Sequence, residues 1–181
     1  MERIEKCRED RLNSPDAGRR KLADTPMVFR EILNPDEFIV VPKVSSERRR
    51  YIPIGFLDNQ TICTDLVFII PDASLYHFSI LTSNVHMSWM RAVAGRLKSD
   101  YRYSKDIVYN NFPWPTPSDA QKAKIEQTAQ AILDARALYP DCSLADLYDE
   151  LTMPPELRKA HQANDRAVMD AYGFTRGTAA R

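Results

Sequence analysis

Apolar positions along the chain first recur every three or four residues, then crowd into short β-branched runs, then return to helical spacing. Ile4, Cys7, Arg8 and Leu12 fall on roughly one face of Glu2 to Leu12, which predicts a short amphipathic helix. Asn13 to Gly18 breaks it, and Asp24-Thr25-Pro26 predicts a cap and a proline opening a further turn through Phe29 and Ile32. From Phe38 the runs Phe38–Pro42, Tyr51–Phe56 and Asp65–Ile70 are β-branched or aromatic and bounded by Pro, Gly, Asn and Asp, as strands of a small twisted sheet are. Leu75, Phe78, Leu81, Val85, Trp89 and Val93 then step by three or four residues, with Ser74 and Thr82-Ser83 as caps and Gly95 as a stop. This predicts two helices, or one broken near Thr82. Pro113, Pro115 and Pro117 form a rigid extended exit. Residues 118 to 139 read as a helix capped by Ser118, with Ile125, Ala129, Ile132, Ala135 and Leu138-Tyr139 as its buried stripe and Pro140 as its stop. Shorter helices are expected at 144–151 and 156–172, with Thr175 to Arg181 frayed.

The expected fold is α+β: a small twisted sheet, mixed or antiparallel, with a helical pair, followed by a C-terminal helical extension. There is no internal repeat. At 181 residues the chain has room for one ordinary domain with a tail, or two small lobes. No apolar run reaches the roughly 18 residues a membrane helix needs, and Met1-Glu2-Arg3-Ile4-Glu5-Lys6 has no apolar export signal, so a cytoplasmic protein with no membrane partner is expected.

Charge changes this picture. The formal net charge is zero, which is poor for a polyanion binder, but the charges are unevenly spread. Residues 43–105 carry 9 basic and 5 acidic groups, a local +4, while the two flanks together sum to −4. Phosphate binding responds to the local field, so a basic face on a neutral chain suffices. Two segments supply it. The turn Ser45-Ser46-Glu47-Arg48-Arg49-Arg50 lies between two strand runs and holds hydroxyl, carboxylate and guanidinium groups, all of which read base edges or phosphates. The run Gly95 to Lys105 places cations and tyrosines at near-alternate positions, which suits a strand or loop facing nucleic acid; Arg96, Lys98, Tyr101, Arg102, Tyr103 and Lys105 are its candidate backbone contacts. A solvated turn and a charge-protected strand edge are the plainer alternatives.

Catalytic and metal-ligating candidates do not emerge. The five glycines form no GxG cofactor turn, and Asn34-Pro35-Asp36-Glu37-Phe38 resembles an amine-gripping motif only superficially, since its second proline is missing. Pro71-Asp72 lacks the Glu-x-Lys partner of a metal-dependent nuclease. His77 and His86 fit packed or hydrogen-bonded histidines better than a metal pair. Cys7, Cys63 and Cys142 are too scattered for zinc and read as reduced thiols.

Four ordered blocks carry a resemblance: Ser45 to Phe56, Leu75 to Met87, Arg96 to Ser104, and Tyr109-Asn110-Asn111-Phe112-Pro113-Trp114-Pro115. Together they are similar to the C-terminal part of MmeI-like DNA methyltransferases of type II restriction-modification systems, over about residues 19 to 174. The resemblance implies an N-terminal helical lead-in (1–24), a target recognition domain (25–116) and a C-terminal helical segment (117–181). It also implies that the chain reads double-stranded DNA for an adenine-N6 methyltransferase whose catalytic domain is its partner. On this reading Ser45, Ser46, Glu47, Asp72 and Ser74 read bases. Arg48, Arg49, Arg50, Arg96, Lys98, Tyr101, Arg102, Tyr103 and Lys105 hold the DNA backbone. S-Adenosylmethionine, and Mg²⁺ if the parent also cleaves, belong to the parent enzyme and not to this chain; whether these residues are part of an enzyme is left open. The alternative is a helical interaction module that mainly docks onto a methyltransferase domain with little DNA contact of its own.

Overall fold

The computed structural model describes residues 1–29 and 35–174, and the chain divides after Asn34 into two units. In the first unit, α1 (Glu2–Leu12) forms as its apolar spacing predicts. It is followed by α2 (Ala17–Lys21), capped by the Asp16 carboxylate on the Gly18 N–H at 2.7 Å, and by a 3₁₀ turn at Leu22–Asp24. The guanidinium of Arg11 pins this unit by donating to the carbonyls of Leu22, Thr25 and Val28 at 2.7–2.8 Å. The helical turn expected after Pro26 is not seen as far as Phe29, and Ile32 lies outside the described residues.

The second unit is α+β with two antiparallel three-stranded sheets. β1 (Glu37–Pro42) is the centre of the first, flanked by β3 (Gly55–Asp58) and β4 (Val67–Pro71). Val40 pairs with Gly55 on one side and Ile69 on the other. The expected strand at Tyr51–Phe56 starts late for a physical reason. Pro53 has no N–H to give a ladder, and the Ile54 N–H closes a tight turn onto the Ile52 carbonyl at 2.8 Å. Tyr51, Ile52 and Ile54 are buried instead as irregular core. The second sheet orders β2 (Val44–Ser45), β6 (Asp100–Arg102) and β5 (Gly95–Leu97), so the basic run is a hairpin closed by Lys98-Ser99. Lys43 joins the sheets: its N–H donates to the Leu66 carbonyl and its own carbonyl accepts from Tyr103, both at 2.9 Å.

The predicted helical pair breaks at Thr82 into α3 (Leu75–Leu81) and α4 (Asn84–Val93). Ser83 makes the break by capping α4 at the His86 N–H (3.3 Å) while donating to the Ile80 carbonyl (2.7 Å). A π-helical turn at Lys105–Tyr109 follows the hairpin. The carbonyls of Pro113 and Pro115 accept from the hydroxyls of Tyr172 and Tyr76, which fixes the proline exit onto the helices. α5 (Asp119–Ala137), α6 (Leu144–Leu147) and α7 (Pro155–Ala171) complete the chain. The expected helix at 144–151 is cut to one turn after Leu147.

α5 packs on both α3 and α7, and the core is continuous across them: Phe78, Leu81 and Met87 share one cluster with Ala129, Ile132 and Leu157. Several polar groups buried in it are paired across the elements. The Ser79 and Thr128 hydroxyls both reach Asn164 Oδ1, and Asn164 Nδ2 donates to the Ser79 carbonyl at 3.0 Å. Tyr51 donates to Asp165 at 2.7 Å, and Tyr148 contacts His161 at 2.6 Å while receiving the Arg136 guanidinium. The helices after residue 117 are thus built into the same core as residues 38–90, beyond the extension that the sequence suggests.

Candidate nucleic-acid interface

The turn and the basic run, far apart in sequence, are neighbours in one sheet. Val44 pairs with Arg102, Ser45 with Tyr101, and Arg96 with Tyr101 from the other side. Residues directly opposite share a face, and successive residues alternate. Ser45 and Tyr101 therefore point inward together, only 4% and 7% exposed, while Arg102 stands out with Val44 and Gly95 in its row. This burial corrects three expected contacts. Ser45 is sealed under the sheet, its hydroxyl without a partner in the fold. Tyr103 is 4% exposed with its hydroxyl 2.9 Å from His86 Nε2, and burial raises its pKa. Tyr101 lies under the Arg96 guanidinium, 3.8 Å from its ring centroid. All three support the surface from below and do not present side chains to a ligand.

The exposed candidates fall into two adjoining sets. On the sheet and its tip are Glu47, Arg96, Lys98 and Arg102, with Ser46 half-buried beside them. Asp100, which pattern reasoning passed over, accepts the Glu47 N–H at 3.3 Å and ties the turn to the hairpin. Its place two residues from Arg102, on the same face of an alternating strand, was the available signal. Arg96 sits 3.9 Å from Glu47, a surface pair with both side chains near half exposed, so it orients Glu47 more than it stabilises the fold. Lys98 heads the hairpin turn at φ 56°, a conformation costing a non-glycine residue roughly 1 kcal/mol.

The second set is the arginine turn. Ser46 organises it, its hydroxyl and carbonyl accepting from the N–H groups of Arg48 (3.3 Å) and Arg49 (3.1 Å). Arg48, Arg49 and Arg50 then line an open groove of about 340 Å³ with Glu47, Asn84, Arg91 and Glu150. Arg91 and Asn84 come from α4, and the sequence does not single them out because the helical spacing there reads as core.

Three candidates lie apart from this surface. Asp72, in the left-handed region at φ 54°, and Ser74, at the start of α3, follow β4 at the end where Pro71 pairs with Phe38. The extended chain from Phe38 to Ser45 spans up to about 23 Å at about 3.3 Å per residue. Ser74 is also engaged locally, its N–H donating to His77 Nδ1 at 3.1 Å. Lys105 lines a different groove, of about 370 Å³, with Phe68, Ile70, Tyr103, Tyr109 and Asn110.

A Cβ added at Gly55 would meet Leu144 at 3.5 Å, and Gly95 and Gly173 face open space. Among the described residues no three His, Cys, Asp or Glu side chains group to hold a metal ion. No helix of the described residues is long and apolar enough to cross a membrane. His86 is packed, as the sequence suggests, and so is His161: both are 0% exposed, with burial pulling His86 down to about 3 and His161 well below its ordinary value.

Comparisons with known proteins cover the whole chain. The family described as MmeI, target recognition domain, matches residues 1–116, and that described as MmeI, C-terminal domain, matches residues 117–181. The DNA methyltransferase A of Bacillus subtilis (strain 168) is 46% identical over 173 residues, 95% of this chain and 20% of that protein. A solved structure of the Type IIL restriction-modification enzyme MmeI in complex with DNA superposes with a TM-score of 0.91 at 48% identity, covering 98% of this chain and 24% of that one. The chain therefore spans about a fifth to a quarter of the relatives it matches. It belongs to the MmeI family, in which it corresponds to the target recognition domain followed by the C-terminal domain.

Proposed function

We propose that this chain reads a specific double-stranded DNA sequence for an adenine-N6 methyltransferase of a restriction-modification system, with the methyl-transfer chemistry carried by a catalytic domain beyond these residues. The observation that carries the reading is the pairing of β2 with β6, which brings the Ser46–Arg50 turn beside the hairpin of Arg96 to Arg102, with Arg102 on the outward face and Arg96 over Tyr101 on the other. In that surface Glu47, with Ser46 beside it, is suited to accept from base edges in a groove, whereas Lys98, Arg102 and the arginine turn are suited to phosphates. Asp72 and Ser74, at the far end of the first sheet, belong to this reading only as a second contact several base pairs away. S-Adenosylmethionine, and Mg²⁺ where the parent cleaves, belong to the catalytic domain, and a cytoplasmic location goes with the same role. The docking alternative has less to stand on. The stripes it would need on α5 and α7, including Ile125, Ile132, Leu157 and Val168, are buried in the chain's own core.

Competitive binding to a randomised duplex library tests the proposal. Glu47→Lys should change the preferred base pair at one position, a discrimination of about 1–3 kcal/mol, whereas Arg102→Ala should weaken all sequences alike. Uniform loss in both variants, or no duplex binding by the unaltered chain at low salt, refutes it.

A further inference from the structure

We infer that the groove between the arginine turn and α4 is a binding site for the phosphodiester backbone of a duplex, and that Arg91 is a phosphate-holding residue. The inference rests on the DNA-reading role proposed above and adds to it a residue on α4, outside the two recognition segments, that completes a groove along the arginine turn.

Four guanidiniums, of Arg48, Arg49, Arg50 and Arg91, line this one groove. Its two carboxylates are answered by other cations: Glu150 lies 2.7 Å from Arg158 and Glu47 lies 3.9 Å from Arg96. Among the described residues, no ion pair within 4.0 Å engages Arg48, Arg49 or Arg91. With both lining carboxylates engaged by cations outside the groove, the gathered guanidiniums raise one another's energy, an arrangement that an anion from outside compensates. Guanidinium is the group whose planar fork matches phosphate oxygens.

The groove is held in shape from α7. Asp165, 7% exposed, accepts the Tyr51 hydroxyl and the Asn84 N–H, each at 2.7 Å. One carboxylate thus ties the residue after Arg50 to the first residue of α4. Arg91 follows Asn84 by two helical turns, so both face the same side, and Arg91 donates to the Arg50 carbonyl at 3.3 Å. The arginine turn and α4 are therefore fixed against each other before any ligand arrives. Such a site reads no base, because its donors meet only the sugar-phosphate chain.

The test measures binding of the whole chain to a cognate and an unrelated duplex across a salt series by fluorescence anisotropy. Arg91→Ala is compared with Lys124→Ala, which removes the same charge from α5 outside the groove. Arg91→Ala should weaken both duplexes by the same factor, on the order of tenfold, and reduce the slope of log K against log salt by about 0.9. Lys124→Ala should do neither. Equal behaviour of the two variants overturns the inference, as does a loss confined to the cognate duplex. If inorganic phosphate at constant ionic strength binds the unaltered chain but not Arg91→Ala, while duplex affinity is unchanged, the groove serves a free anion and the inference fails. If the unaltered chain binds no duplex while Glu47→Lys and Arg102→Ala are equally silent, the DNA-reading role itself falls, and this inference with it.

Discussion

Asn164 gives the sharpest handle on how the two family segments are joined. Its amide oxygen receives the Ser79 and Thr128 hydroxyls and its amide nitrogen donates to the Ser79 carbonyl, all in an interior where Asn164 and Ser79 are 0% exposed. Asn164→Ala leaves Thr128 its second acceptor, the Ile125 carbonyl at 2.8 Å, but leaves the Ser79 hydroxyl without one. One orphaned buried donor costs about 1–3 kcal/mol, and the space vacated by the side chain adds to it, for a total of about 2–5 kcal/mol. With a urea m-value of roughly 2 kcal/mol/M, the midpoint should fall by about 1–2.5 M. Both tryptophans, Trp89 and Trp114, lie before residue 117, whereas α5 and α7 contribute much of the far-ultraviolet dichroism. Fluorescence and dichroism should therefore shift together, since one core spans both segments. A midpoint change below about 0.5 M, or a dichroism transition that separates from the fluorescence one, refutes the shared core. A double-mutant cycle with Ser79→Ala should return a coupling of about 0.5–3 kcal/mol.

Two further outcomes follow from the interior and the hairpin tip. His86 and His161 stay neutral in the fold but take up protons when unfolded, so stability is present above about pH 6.5 and falls as pH drops toward the depressed folded values, by about 1.4 kcal/mol per pH unit for each histidine. Asp165, raised by burial despite its bonds from Tyr51 and Asn84, works the other way and recovers some stability as it takes up a proton. Urea titrations at several pH values should show a net loss between pH 6.5 and 5, and a flat profile there refutes the account. Lys98→Gly should leave thermal stability equal or raise it by up to about 1 kcal/mol, because φ 56° no longer strains a side chain, while duplex affinity drops. A destabilised variant with intact binding contradicts both halves.

Much of this architecture was legible in the residues. The helices at Leu75, Asn84, Asp119 and Pro155 announced themselves through three- and four-residue apolar steps and serine or proline starts. β1 and β4 are short β-branched runs, which pattern also finds. What stayed hidden depends on pairing across long separations. The two-residue strand at Val44 exists only because β6 offers it a partner, and inward pointing of Ser45 and Tyr101 follows from that register rather than from composition. Tyrosines and serines fit a DNA surface and a hydrogen-bonded interior equally well by type, so their burial could not be read from a list. Arg91 was overlooked for a related reason. A single arginine in an apolar helix reads as a solvated face until the turn from Arg48 to Arg50 is seen beside it.

The attachment of Asn164 and Asp165 to residues 51–84 has a consequence for chimaeras. A crossover placed at the boundary between residues 116 and 117 would bring in an α7 selected against a different α3 and a different arginine turn. Donor and recipient would then have to agree at both ends of each buried bond, which unrelated parents rarely do. The bonds therefore favour exchanging β1 to α7 as one piece, and leave the exposed hairpin and turn as the places where substitutions disturb no buried pair.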